Sequence, residues 1–362
     1  MRVNFWSMAS GSLLSLLLVA WTQVGCFGGS HSEASPSKRT SGRPLLINGA
    51  GASFPFPLYA HWFSSYREVD PSLRINYQSI GSGGGIRQFL AGTTDFGATD
   101  APMTEEELAQ ARNQVLHVPT ALGAVVVTYN LPELGGEEPL HLSGPLIAQI
   151  FMGRVTNWSD PQIQELNPKL TLPDRSIITA HRSDGSGTTA VFTDYLAQIS
   201  PEWAETVGKG KAVRFPTGLG GKGNEGVTSL VRQNPGSIGY VEFNYALINQ
   251  MRVAALLTDS ETVVRPTVES ITLAAESALS QIPEDFRVSI VNPQNPKAYP
   301  IAAFTYFLLH SPMDPVKGEK LMSFIQWAMG PGQEAASGLG YAPLPAPLVE
   351  RVLSSVRSIE LL

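Results

Sequence analysis

Short apolar runs that alternate with helix-period segments constrain this chain more than any other feature. From residue 45 onward, runs at 45–47, 75–79, 95–99, 115–129, 177–180, 238–241, 288–291 and 302–309 read as strands. Segments 57–69, 86–90, 143–152, 188–199, 227–233, 316–329 and 347–356 carry the spacing of helices. In the first of these, Leu58, Trp62, Tyr66 and Val69 share one face. Thr104, followed three residues later by Glu107, is a capping-box pattern that opens a further helix. Such alternation predicts an α/β fold with mainly parallel sheets. No internal repeat of fixed period is visible. The strand-rich stretches 115–129 and 299–309 are candidates for chain crossings between two lobes, with a single large sheet as the alternative.

Three junctions between strand and helix share a design. Residues 49–54 (GAGASF) follow the first strand, residues 81–85 (GSGGG) the second, and residues 184–189 (DGSGTT) the strand at 177–180. Glycine lets the backbone approach a ligand closely. The start of a helix offers unpaired N–H groups and the positive end of its dipole. Ser53, Ser82, Ser186 and Thr188 add hydroxyl donors, and Phe54 and Gly187 add amides. One such turn is ordinarily only a tight connection. Three of them, each with Ser or Thr where the helix begins, describe a cradle for a tetrahedral oxyanion.

Two charged residues sharpen that chemistry. Arg182 precedes the third loop, where its planar fork can take two oxyanion oxygens and pair with Asp184. The alternative is a surface ion pair of little consequence. Asp100 closes the run DFGATDAP (95–102). Taken alone it reads as a turn or helix cap. Beside an anion it has a second use, because phosphate near neutral pH keeps an O–H that can donate to a carboxylate. Fully ionised sulfate has no such proton and would set two acceptors against each other in a dry gap.

Several other chemistries are disfavoured. Residues 218–223 match G-x-G-x-x-G, but no strand is evident before them and no acidic partner follows at the usual distance. Asn224 after Gly223 breaks a Walker pattern, and Asp184 breaks the G-x-S-x-G of a serine hydrolase around Ser186. Histidines 31, 61, 117, 141, 181 and 310 show no metal-binding spacing, so neither a metal nor a cofactor is expected. A net charge of −6 speaks against non-specific nucleic-acid binding and requires any anion site to work through local donors.

The first residues read as an export signal. Arg2 is followed by an apolar run at 13–21, well short of the ~20 residues that span a bilayer. Cys26, the one cysteine, follows Gly25, which suits either lipid attachment at Cys26 or ordinary signal cleavage nearby. The expected division is a signal at 1–25 and a polar Ser/Pro/Gly-rich tether at 26–44. The mature chain is then periplasmic or displayed at the cell surface.

At these loops the chain resembles the phosphate-binding proteins of bacterial high-affinity phosphate uptake. The resemblance runs from about residue 47 to about residue 358. It rests on GAGASFPFPLYAHW, YQSIGSGGGIRQF, TDFGATDAPM, HRSDGSGTTAVFTDYL, GLGGKGNEGV and PGSIGYVEF, in that order. It implies a type II periplasmic-binding-protein fold, two α/β lobes joined by crossing strands with the ligand between them. Lobe I is expected over 45–118 and 299–362, and lobe II over 119–298. It implies no catalysis: a monomer that binds inorganic phosphate and delivers it to the membrane permease subunits of an ABC transporter with a cytoplasmic ATPase. By motif, Ser53, Phe54, Ser82, Asp100, Arg182, Ser186, Gly187 and Thr188 would hold phosphate, with Asp184 orienting Arg182. Ser53 stands where many relatives carry Thr, and Gly83 where some carry a second Ser. The 218–226 loop is shared with the family but has no derivable ligand role. Receptors for sulfate or molybdate, and a secreted phosphoesterase, are the competing readings.

Overall fold

The computed structural model describes residues 43–135, 138–258 and 260–362. The export signal, the tether and Cys26 lie outside the described residues, apart from the tether's last two. The strands are β1 (Leu45–Gly51), β2 (Leu73–Ser79), β3 (Phe96–Thr99), β4 (Gln114–Tyr129), β5 (His141–Ser143) and β6 (Ile178–Arg182). They continue with β7 (Leu219–Gly221), β8 (Ser237–Glu242), β9 (Arg252–Val253), β10 (Ala255–Leu257), β11 (Val263–Val264) and β12 (Ala302–Ser311). The helices that position the site are α1 (Phe56–Val69), α2 (Ser82–Leu90), α3 (Glu105–Leu108), α4 (Gly144–Phe151), α5 (Pro161–Leu166) and α6 (Gly187–Ile199). After them come α7 (Pro201–Thr206), α8 (Gly223–Gln233), α9 (Phe243–Ile248), α10 (Val268–Ala278), α11 (Pro315–Ala328), α12 (Glu334–Gly338) and α13 (Ala346–Arg357).

A nine-stranded sheet runs β2-β1-β3-β12-β4-β8-β6-β7, with β9 beside β4. β1 pairs parallel with β2 and β3, and β6 pairs parallel with β7 and β8. The antiparallel pair β12–β4 joins these two parallel groups. β4 serves both: residues 114–124 pair with β12, and Val125 to Tyr129 pair with β8. From His117 to Tyr129 every residue of β4 is buried, as expected of a strand covered on both faces. The long strand expected at 115–129 therefore links the two parallel groups within one continuous sheet. The second candidate, β12, lies wholly between β3 and β4.

Local chemistry explains the helices. α1 places Leu58, Tyr59, Trp62, Phe63 and Tyr66 on its buried face, and Pro57 sits in its first turn, where no N–H is needed. Tyr59 and Phe63 pack on Phe307 and Phe96 of the sheet, tying the helix to the strands it follows. The Thr104–Glu107 capping box forms in both directions at the head of α3. One expected strand needs correcting. Residues 288–291 are not a strand, although Ile290 and Val291 are buried. β12 already has β3 on one edge and β4 on the other, so that segment finds no free ladder. The short strand β7 lies inside the 218–223 run, not before it, and α8 opens at the run's last glycine.

Candidate functional site

The three small-residue loops converge where β1, β2 and β6 end and α1, α2 and α6 begin. In the first, Ser53 and Phe54 are buried and their carbonyls are held from outside. Tyr245 donates to the Ser53 carbonyl and Tyr341 to the Phe54 carbonyl, each at 2.7 Å. In the second, α2 begins at Ser82, four residues earlier than the spacing predicted, so Gly83 and Gly85 lie inside the helix. The reason is close approach. A Cβ on Gly85 would stand 2.3 Å from the Gly51 Cα, so β1 and α2 touch backbone to backbone.

The third loop reaches across to the second. The Gly187 amide donates to Ser82 Oγ at 3.1 Å, and the Gly83 amide to the Gly185 carbonyl at 2.9 Å. A serine at position 83 would bring its Cβ to 3.1 Å of the Gly185 Cα, so glycine suits the closeness of these two loops. Ser186 caps α6 by accepting from the Thr189 amide at 3.0 Å. Gly187 and Thr188 then form the first turn, whose amides a helix leaves unpaired.

Arg182 and Asp184 form a two-pronged pair, Nε to Oδ1 at 2.8 Å and Nη2 to Oδ2 at 2.6 Å. Their side chains are 1% and 13% exposed, so this is no surface ion pair. The Gly223 amide adds a third donor to Asp184 Oδ1 at 3.0 Å. Burial alone would push the Asp184 carboxyl up; the hydrogen bonds and charge of Arg182, with that amide, outweigh it and hold the carboxyl below its ordinary range. With Asp184 on one edge, Arg182 turns Nη1 to Thr188 Oγ1 at 3.2 Å.

Asp100 lies at the end of β3, almost fully buried. Thr305 of β12 donates to its Oδ1 at 3.0 Å, and Ser82 Oγ stands 3.4 Å from Oδ2. Burial pushes this carboxyl up to about 7, against the opposing pull of Thr305, the Arg182 charge and Ser82. A Cβ on Gly187 would fall 2.5 Å from Oδ2, so the α6 first turn passes directly over the carboxylate. Ser53, Phe54, Ser82, Asp100, Arg182, Asp184, Ser186, Gly187 and Thr188 are thus brought around one buried place.

Sequence reasoning missed two contributors. Thr305 sits in an apolar strand and reaches Asp100 only through sheet register; a buried hydroxyl inside a hydrophobic run was its one signal. Asn224, in the loop left without a role, donates from Nδ2 to Ser53 Oγ at 3.0 Å and Thr188 Oγ1 at 3.2 Å. The histidines serve elsewhere. His117 accepts from the Met103 amide, and burial, then the Arg287 charge, pushes it down to about 4. His181 stacks on Phe215 and His310 on Phe89. Among the described residues no cluster of His, Cys, Asp and Glu suits a metal ion.

Buried donor-rich loops at the strand ends of two parallel groups joined by β4 suit a solute-binding protein. The family described as the PBP superfamily domain matches residues 31–331. A phosphate-binding protein PstS of Haemophilus influenzae is 46% identical over 309 residues, 85% of this chain and 91% of its own. One of Methanocaldococcus jannaschii is 37% identical over 370 residues, 96% of this chain and 94% of its own. The chain belongs to the family of phosphate-binding proteins PstS, a family of binding proteins and not of enzymes. A high-affinity periplasmic phosphate-binding protein solved with phosphate shares the fold, with a TM-score of 0.71 and 21% identity over 88% of this chain and 96% of that one. Among the described residues no helix is long and apolar enough to cross a membrane.

Proposed function

We propose that this chain binds inorganic phosphate in the buried cradle and hands it to the permease of an ABC transporter powered by a cytoplasmic ATPase. Family membership supports the role, and one observation carries the ligand. Asp100, an acceptor, is buried among donors: the Arg182 guanidinium, the hydroxyls of Ser53, Ser82 and Thr188, and the Thr188 amide in the first turn of α6. An oxyanion that still carries a proton satisfies both kinds of group. One without a proton leaves Asp100 facing an acceptor.

The ligand set of this reading is Ser53, Phe54, Ser82, Asp100, Arg182, Ser186, Gly187 and Thr188, with Asp184 fixing Arg182. Lobe I comprises 45–118 and 299–362, and lobe II comprises 119–298. Closure then brings Ser82 onto Gly187 and Gly83 onto Gly185, and pairs Glu107 of α3 with Lys211 at 2.7 Å. The chain acts as an exported monomer, held to the membrane by lipid on Cys26 or released by signal cleavage nearby. Titration calorimetry of purified protein with phosphate, sulfate and molybdate tests the ligand. Phosphate should bind one to one, and sulfate and molybdate at least about tenfold more weakly at pH 8. Equal affinities would overturn the assignment.

A further inference from the structure

Asn224, the second residue of α8, is fully buried and lies outside the expected ligand set. Its Oδ1 accepts from the Glu242 amide at 3.0 Å. A backbone N–H can only donate, so the oxygen of the side chain must face β8 and the nitrogen must face the cradle. The two Nδ2 protons go to Ser53 Oγ and Thr188 Oγ1. Each hydroxyl receives one donor more: the Asn224 amide reaches Ser53 Oγ at 3.2 Å, and Arg182 Nη1 reaches Thr188 Oγ1 at 3.2 Å. A hydroxyl oxygen has two lone pairs, and on both residues both are now occupied. What remains to each is its proton. Ser82 also has both lone pairs filled, by the Asp100 amide at 3.3 Å and the Gly187 amide at 3.1 Å, while its own proton is directed at Asp100 Oδ2 at 3.4 Å.

We propose that Asn224 is a specificity-determining positioning residue: by occupying the acceptor capacity of Ser53 and Thr188 it makes both hydroxyls obligate donors. The cradle then tells bare oxygens from protonated ones, and the single proton of the ligand has Asp100 as its destination. This rests on the phosphate reading above. Its consequence is a proton count. The complex holds one proton between Asp100 and the ligand, and a second one would meet a donor. Affinity for phosphate therefore falls as pH drops and the ligand gains its second proton. The charged and titratable groups facing this cluster are Arg182 and Asp184 from β6 and its loop, Asp100 from β3, Glu242 from β8, and Glu225 and Tyr245 from α8 and α9. Glu242 is buried, which pushes its carboxyl well above the ordinary range.

The test is a double-mutant cycle read by phosphate titration across pH. Asn224→Ala should weaken binding about tenfold in the wild-type background, and less than about twofold when Ser53→Ala and Thr188→Val are already present. It should also flatten the loss of affinity at low pH, because freed lone pairs can accept the second ligand proton. Asn224→Asp keeps the shape of the side chain and reverses its polarity toward the hydroxyls, so it guards against misfolding of the alanine variant. It should weaken phosphate binding beyond Asn224→Ala at pH 8. Equal factors in both backgrounds, an unchanged pH slope, or an Asn224→Asp variant that binds like wild type would each overturn the proposal. Wild-type protein that binds no phosphate would instead remove the phosphate reading itself.

Discussion

Replacing Asp100 by Asn isolates the proton-accepting side of the cradle with almost no change in shape. In the native protein Thr305 donates to Oδ1 and Ser82 Oγ donates to Oδ2 at 3.4 Å, so the second lone pair of Oδ2, beneath the first turn of α6, is the place that can take a proton from the ligand. A hydrogen bond to a charged group is worth about 1.5–3 kcal/mol net. On the proposed reading phosphate makes that bond and sulfate does not, which corresponds to a preference of about 12- to 140-fold, at tenfold per 1.4 kcal/mol. In Asp100→Asn the hydrogen bond from Thr305 keeps the carbonyl oxygen in the Oδ1 position, and an NH₂ takes the place of Oδ2. That group donates to any bare oxygen. Sulfate gains a partner, phosphate exchanges one for another, and the ratio of affinities should fall toward one. The assay is titration calorimetry with both anions at pH 8, where Asp100 is ionised, with thermal melts to establish that the variant is folded. A variant ratio within about twofold of the wild-type ratio would refute the reasoning, because the preference would then reside in groups other than this carboxylate.

Sulfate binding to the native protein should depend on pH in a defined direction. Asp100 has a carboxyl pushed up to about 7, and it must be protonated to donate to sulfate. Sulfate affinity should rise about tenfold per pH unit as pH falls toward 7 and level off below it; calorimetry from pH 9 to 6 checks this, and Asp100→Asn should show no such slope. Asp184→Ala strands a guanidinium whose side chain is 1% exposed, and should cost about 3–5 kcal/mol in urea unfolding; a cost under about 1 kcal/mol would mean that water reaches Arg182. Gly187→Ala places a Cβ 2.4 Å from Ser82 Oγ and 2.5 Å from Asp100 Oδ2. It should abolish detectable phosphate binding while leaving a cooperative melt, and retained affinity would show that the α6 first turn can move aside.

Much of this was legible because it is local. The Thr104–Glu107 capping box, the buried stripe of α1 and the three loops are each set by residues within a turn or two, where spacing and side-chain chemistry decide the outcome. Arg182 and Asp184 are two residues apart, so their pairing could be anticipated; its burial could not. Thr305 and Asn224 were not legible as site residues, because what they do depends on pairing across the whole chain. Thr305 reaches Asp100 across 205 residues of sequence, at the irregularity in the β12–β4 register. Asn224 reaches Ser53 across 171 residues. The segment 288–291 failed as a strand for the same kind of reason. Its apolar residues marked burial correctly, but a ladder also needs an edge, and the order β3-β12-β4 leaves none beside it.

The electrostatics of the cradle fit a chain whose net charge is −6. Arg182 is neutralised by Asp184 before any ligand arrives, and Asp100 adds a further carboxyl, so formal charge does little to attract an oxyanion. What is left is a set of oriented dipoles in a place from which water is excluded by loops bonded directly to one another. Hydrogen bonds strengthen in such surroundings, and an unmade one becomes correspondingly costly. Each acceptor that could have faced the ligand is engaged elsewhere: Asp184 by Arg182, the Ser53 and Phe54 carbonyls by Tyr245 and Tyr341, and the hydroxyl lone pairs by Asn224, Arg182 and two amides. Asp100 Oδ2 is the exception in part: Ser82 Oγ donates to it at 3.4 Å, and its second lone pair is left. On the proposed reading, discrimination among tetrahedral anions of similar size and charge follows from where their protons are, because protons and lone pairs are what this arrangement has been left to count.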